Sequence, residues 1–177
     1  ARKLQAQSEL GRELDSLADL TSFGVAPAYL YFLLSPIQGW PAMIPPLAIV
    51  IASAVRLAKF NLLPPSPYFT GLPTPATAMF LIGLFLGMEY DSQIIKTIFS
   101  NTYAYWAIAF FFAFMMVSTV RMFSLKGLNK DMRQNQLQLV LLVVFILLLL
   151  VDNKLAAPVV ILLYIILSLA QSLSRKA

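Results

Sequence analysis

Long apolar stretches, broken by short polar or proline-rich interruptions, dominate this chain. A helix that crosses a bilayer needs about 20 mostly apolar residues. Six stretches fit that pattern: residues 8–34, 42–63, 70–88, 101–123, 136–151 and 155–173. Two runs, 104–117 and 139–151, carry no charge. The breaks fall at Ser35-Pro36, Pro64-Pro65-Ser66-Pro67, 89–96, 126–136 and Asp152-Asn153-Lys154. The last is short enough to force the final two stretches into a tight helical hairpin. The pattern predicts an all-α, polytopic integral membrane bundle of about six transmembrane helices. With no repeat, low-complexity tract or long linker, residues 1–177 read as one domain.

Composition agrees. Of the 177 residues, 59% are hydrophobic and 12% charged, and mean hydropathy is +0.78. Soluble domains run at about 45–50% apolar and about 25% charged. A core of this size cannot hide that excess, so lipid is expected as the main solvent. No Cys and no His are present, which removes thiolate nucleophiles, Ser-His-Asp triads and imidazole zinc sites. Catalysis would have to run on carboxylates, Lys, Arg, hydroxyls or a metal held by oxygen. The chain begins at Ala1 without a signal-peptide pattern and reads as a piece of something longer.

Alternating the six stretches across a membrane sorts the cations. Arg2, Lys3, Arg12, Arg56, Lys59, Arg121, Lys126, Lys130, Arg133, Arg175 and Lys176 fall on one side, and Lys96 and Lys154 on the other. The positive-inside rule assigns the rich side to the cytoplasm. The net charge of +5 is then concentrated where anionic headgroups or an anionic substrate would meet it. Nucleic acid is not expected as a partner, because the basic residues are spread along helix ends. Trp40 and Trp106 suit interfacial belts, residues 110–112 suit a lipid-facing or packed position, and Glu89, Asp91 and Lys96 suit a solvated loop on the opposite face.

The first stretch departs from the pattern. Glu9, Glu13, Asp15 and Asp19 are half of the eight acidic residues, and Arg12 lies among them. Gly11, Asp15 and Asp19 are spaced i, i+4, i+8, so a helix aligns them in one stripe. Neighbouring carboxylates repel by a few tenths of a kcal/mol even when exposed. A glycine inside a helix costs roughly 1 kcal/mol against Ala, so Gly11 suggests close approach to the backbone. Two readings stay open on spacing alone. One is a solvated helix start favoured by the helix dipole. The other is part of an oxygen-ligand site for Mg²⁺ or Mn²⁺ and a phosphate-bearing substrate.

The wider pattern is Ala1-Arg2, eight residues, Gly11, three residues, Asp15, three residues, Asp19. It resembles the second half of the signature of CDP-alcohol phosphotransferases, membrane enzymes that move a phosphatidyl or similar group from a CDP-linked donor to an alcohol. The first half, with two more carboxylates, is expected upstream of Ala1. Asp15-Ser-Leu-Ala-Asp19-Leu-Thr-Ser-Phe-Gly-Val-Ala-Pro27 is similar to the phosphatidylserine synthase branch, since Ser16 and Leu20 stand where phosphatidylglycerophosphate-forming relatives tend to have Pro and Lys. Arg56-Leu-Ala-Lys59-Phe60-Asn61, Gly71-Leu-Pro-Thr-Pro75-Ala and Met116-Val-Ser-Thr-Val-Arg121, with Ser124 and Lys126, agree with that branch. Lys59 departs from the Arg often found there, a change that weakens bidentate anion binding.

The resemblance implies that two divalent ions, Mg²⁺ or Mn²⁺, bind the donor pyrophosphate, with Asp15 and Asp19 as ligands. It implies Asp19 as the base for the attacking hydroxyl, and Arg2, Ser8 and Gly11 on the CDP-lipid side. The implied substrates are CDP-diacylglycerol and L-serine, and the products phosphatidylserine and CMP. About two further helices upstream, a homodimer and a cytoplasmic-membrane location with the site facing the cytoplasm also follow from the resemblance. Arg56, Lys59 and Arg121 would bind the serine carboxylate or lipid phosphate, with Asn61 and Ser118 as hydrogen-bond partners. The plainer reading of these three cations is snorkelling from helix ends. Another acceptor alcohol (glycerol phosphate, inositol phosphate or choline) and a non-catalytic transporter or scaffold are the alternatives.

Overall fold

The computed structural model describes residues 8–62, 69–122, 136–151 and 155–174. Helix α1 (Glu9–Asp19) starts where the Ser8 hydroxyl accepts a 3.0 Å hydrogen bond from the Gly11 N–H, satisfying one of the free donors at a helix start. It runs without interruption through a π-helical segment (Leu20–Val25) into α2 (Ala26–Leu33). The wide turn has a cause in the sequence. Pro27 has no N–H and would crowd the carbonyl four residues back in a regular α-helix. Instead the Ala26 N–H reaches five residues back to the Thr21 carbonyl, and the Thr21 hydroxyl donates to the Leu17 carbonyl at 2.8 Å.

A 3₁₀ turn (Trp40–Met43) leads into α3 (Ile44–Leu62), and α4 (Thr74–Glu89), α5 (Gln93–Phe99), α6 (Thr102–Val117), α7 (Gln136–Val151) and α8 (Ala156–Ser174) follow. Helix α3 packs chiefly on α6, α2 on α4, α4 on α8, and α7 on α8. Aromatic rings fill the centre. Tyr31 and Tyr105 stack with centroids 4.8 Å apart, the Tyr31 hydroxyl donates to the Tyr105 carbonyl at 2.6 Å, and the Tyr105 hydroxyl donates to the Ala42 carbonyl at 2.8 Å. Phe112 stacks on Phe80 at 4.1 Å, whereas Phe110 and Phe111 face outward.

Three sequence expectations are corrected at their edges. The apolar stretch 70–88 becomes helical only at Thr74, because Pro73 and Pro75 favour a helix start there. The stretch 101–123 leaves the helix at Ser118, whose backbone is extended. The freed ends pair as two short antiparallel strands, β1 (Phe69–Thr70) and β2 (Arg121–Met122). The break at 89–96 is not a plain loop: α5 buries Ile95 and Phe99, and Lys96 pairs with Asp91.

Those shorter helices matter for membrane crossing. Trp40–Leu62 is long and apolar enough to span a bilayer, and Thr74–Glu89 with Gln93–Phe99 passes only as a pair bent by 109°. Thr102–Val117, Leu139–Leu150 and Ala156–Gln171 are shorter apolar helices. Among the described residues, length and composition thus give one span, or two with the bent pair, where the hydropathy pattern suggested about six. Ile51, Phe114, Leu142, Ile146, Leu147 and Leu150 are large, apolar and exposed. Outward apolar side chains in this number suit lipid rather than water.

Candidate active site

The stripe predicted from spacing is present: Asp15 and Asp19 lie one turn apart on α1, Asp15 exposed and Asp19 half-buried at its last residue. Among the described residues neither has an ion-pair partner, and the Arg12 side chain instead approaches Glu13 at 3.9 Å. Two unpaired carboxylates are hard oxygen donors that fit part of the shell of Mg²⁺ or Mn²⁺. Among the described residues no group of three or more His, Cys, Asp or Glu side chains comes together. The pair therefore fits as a portion of a metal site and needs further ligands to complete one.

Asn61, near the end of α3, reaches this helix. Its Nδ2 donates to the Ser16 Oγ at 2.8 Å, and that hydroxyl donates to the Arg12 carbonyl at 3.1 Å. Sequence reading placed Asn61 near substrate and gave Ser16 no structural role. Ser8 is engaged as the α1 cap, and Gly11 is exposed, with the Ser8 Oγ the one atom among the described residues within 3.1 Å of where a Cβ would stand.

Arg56 occupies a second cluster, one to two turns back along α3. Its half-buried guanidinium donates through Nη1 to the Thr70 carbonyl at 2.8 Å and to the Met116 carbonyl at 3.4 Å. The last carbonyls of a helix are free acceptors with partial negative charge, so the end of α6 is a natural partner for a cation. Gly71 makes the approach feasible. At φ +72 its added Cβ would lie 2.6 Å from the Met116 carbonyl oxygen and 2.8 Å from that of Ser118. The Gly71 N–H donates to the Val120 carbonyl at 2.7 Å and the Leu72 N–H to the Met115 carbonyl at 2.9 Å. The Ser118 hydroxyl is turned back onto the Met115 carbonyl at 2.9 Å.

α3 thus carries both clusters, with Asn61 on the carboxylate helix and Arg56 on the strand pair. Lys59, between them, is exposed in the last turn of α3. Arg121 contributes the backbone of β2 opposite Thr70. Arg2 lies outside the described residues, as do Ser124 and Lys126.

Comparison with known proteins matches residues 1–112 of this chain to a family model, CDP-alcohol phosphatidyltransferase. Among curated proteins, the CDP-diacylglycerol–serine O-phosphatidyltransferase of Methanocaldococcus jannaschii is 43% identical over 83 residues, covering 47% of this chain and 40% of that protein. The protein of the same name from Bacillus subtilis is 42% identical over 87 residues, covering 46% and 48%. That of Mycobacterium tuberculosis is 33% identical over 129 residues, covering 67% and 41%. The matches thus cover less than half the length of these relatives.

Proposed function

Because the chain belongs to the CDP-alcohol phosphatidyltransferase family, we propose that it transfers the phosphatidyl group of CDP-diacylglycerol to the hydroxyl of L-serine. The shared name of the relatives, at 33–43% identity, supports serine as the acceptor. The observation that carries the chemistry is the Asp15–Asp19 pair, one turn apart and free of ion pairs among the described residues. Divalent ions, Mg²⁺ or Mn²⁺ and two in number, would neutralise charge on the donor pyrophosphate when bound.

In this reading Asp15 and Asp19 hold the metal side of the donor. Asp19 accepts the proton of the serine hydroxyl as its oxygen bonds to the lipid-side phosphorus. The bond from that phosphorus to the CMP oxygen breaks, and CMP leaves. Arg2, Ser8 and Gly11 flank the nucleotide. Arg56 retains N–H groups beyond Nη1 for an anion, and with Lys59 and Arg121 it meets the serine carboxylate or lipid phosphate, Ser118 lying nearby. The outward apolar side chains support a polytopic protein of about six transmembrane helices. The one-sided distribution of cations supports a cytoplasmic-membrane protein with its site on the cytoplasmic side, and the family membership supports a homodimer with about two further helices.

The test is turnover by the purified full-length gene product with CDP-diacylglycerol, Mn²⁺ or Mg²⁺, and labelled L-serine. Metal-dependent labelled phosphatidylserine is expected. CMP release with another alcohol but not serine would replace the acceptor, and silence with every alcohol would favour a non-catalytic protein.

A further inference from the structure

Helix α1 carries the two carboxylates yet buries none of its residues. Leu10, Leu14 and Leu17 are all exposed, so among the described residues its leucines give this helix little apolar anchoring. Among the described residues, Asn61 to Ser16 is the only side-chain hydrogen bond from α1 to another element. A second fixed point lies beyond Asp19. In the π segment, a Cβ on Gly24 would stand 3.1 Å from the Ser53 Cβ, so the two helices are in close contact there.

These two contacts define a register. Ser16 to Gly24 and Ser53 to Asn61 are each eight residues apart, and they match in opposite order. The carboxylate helix and α3 therefore run antiparallel, fixed at two points about 12 Å apart at 1.5 Å per residue. Asp19 falls between the fixed points and Asp15 adjoins one of them. At 3.6 residues per turn Asp19 projects about 60° and Asp15 about 100° from Ser16 around the axis. Losing the Ser16 contact leaves α1 held among the described residues through its continuation into the packed π segment and α2, so the end that carries Asp15 can shift.

We infer that Asn61 is a positioning residue: through Ser16 it sets the rotation of α1 and so the direction in which Asp15 and Asp19 face. The inference rests on the reading of those carboxylates as the metal-side ligands. Ser16 suits the task because its one hydroxyl serves as acceptor from Asn61 and donor to the Arg12 carbonyl. Asn61 acts on the site without touching substrate.

The test uses the purified full-length gene product with CDP-diacylglycerol, titrated with Mn²⁺ while free Mn²⁺ is followed by electron paramagnetic resonance. Removing an outer partner of metal ligands costs about tenfold or more in metal affinity. Asn61→Ala and Ser16→Ala are each expected to raise half-saturating Mn²⁺ about tenfold, the double variant to be no worse than either, and Ser16→Thr, which keeps the hydroxyl, to restore binding. In turnover, KM for serine should stay within about twofold, because neither residue contacts it. An Asn61→Ala protein with normal Mn²⁺ affinity but a raised KM for serine overturns the inference, as does an additive double variant. A parent protein that binds Mn²⁺ but transfers nothing to serine contradicts the acceptor assignment, while the Mn²⁺ comparison still decides the role of Asn61. A parent that binds no Mn²⁺ overturns both.

Discussion

Arg56 and Gly71 lock one another in place: the Nη1 that donates to the Thr70 carbonyl at 2.8 Å would stand 3.1 Å from any Cβ placed on Gly71. The same Cβ would press on two backbone carbonyl oxygens, which cannot swing away as a side chain can. A left-handed φ adds strain for any other residue.

Gly71→Ala should therefore destabilise the protein by about 1–3 kcal/mol, seen as a lower thermal midpoint and lost turnover. Arg56→Lys keeps the charge but loses the fork. It should lower the midpoint together with kcat. A variant with an unchanged midpoint and a raised KM for CDP-diacylglycerol would instead mark Arg56 as a substrate ligand only.

Helices α4 and α8 meet at Gly83, where an added Cβ would lie 2.5 Å from the Pro158 Cδ. Small residues allow such close helix approach. Gly83→Ala should cost about 1–3 kcal/mol through overpacking. Adding Pro158→Ala removes the ring carbons and should recover part of the loss, though the Ala157 Cβ at 3.0 Å remains. Thermal unfolding of the two singles and the double checks this, and additive losses would refute it.

Ser8 separates a structural role from a substrate role. Ser8→Ala removes the cap of α1 and should cost about 1 kcal/mol, whereas Ser8→Asn retains a capping oxygen and should be near neutral. If Ser8 also contacts the nucleotide, both variants will raise KM for CDP-diacylglycerol; if it only caps, Asn will restore normal KM.

The buried Tyr31 hydroxyl bonds the Tyr105 carbonyl at 2.6 Å. Tyr31→Phe leaves that carbonyl without this donor and should cost about 1 kcal/mol. The ring stays, so turnover at low temperature should remain near that of the parent. A selective loss of kcat without a shift in thermal midpoint would assign Tyr31 a part in the chemistry.

Local features were legible in the sequence and distant ones were not. The Asp15–Asp19 stripe needs only helical periodicity, and the helix supplies it. The Ser16–Asn61 bond joins residues 45 apart, a separation that no periodicity reports. The π segment had a local signal in Pro27, but its meaning depends on α1 and α2 continuing as one helix. Residues 70–73 and 118–122 read as helix because they adjoin the apolar runs of α4 and α6; Pro73 and Pro75 pointed otherwise, and backbone pairing between distant segments decided it. Helix α5 is not legible because Glu89, Asp91 and Lys96 suggest a loop, and the burial of Ile95 and Phe99 that seats it arises only in the fold. Gly71 stood within a recognised stretch, but its close contacts with Met116, Ser118 and Arg56 arise only in the fold.

The most direct measurement compares the full-length parent and its Asp19→Asn variant for conversion of labelled L-serine to labelled phosphatidylserine with CDP-diacylglycerol and Mn²⁺. Loss of a general base typically costs about 10²–10⁴-fold in rate, and removing a metal ligand adds to it. The account predicts metal-dependent product from the parent, a loss of at least about 10²-fold in the variant, and an unchanged fold by circular dichroism. Product formation by Asp19→Asn at the parental rate would contradict the assignment of this carboxylate as the centre of the reaction.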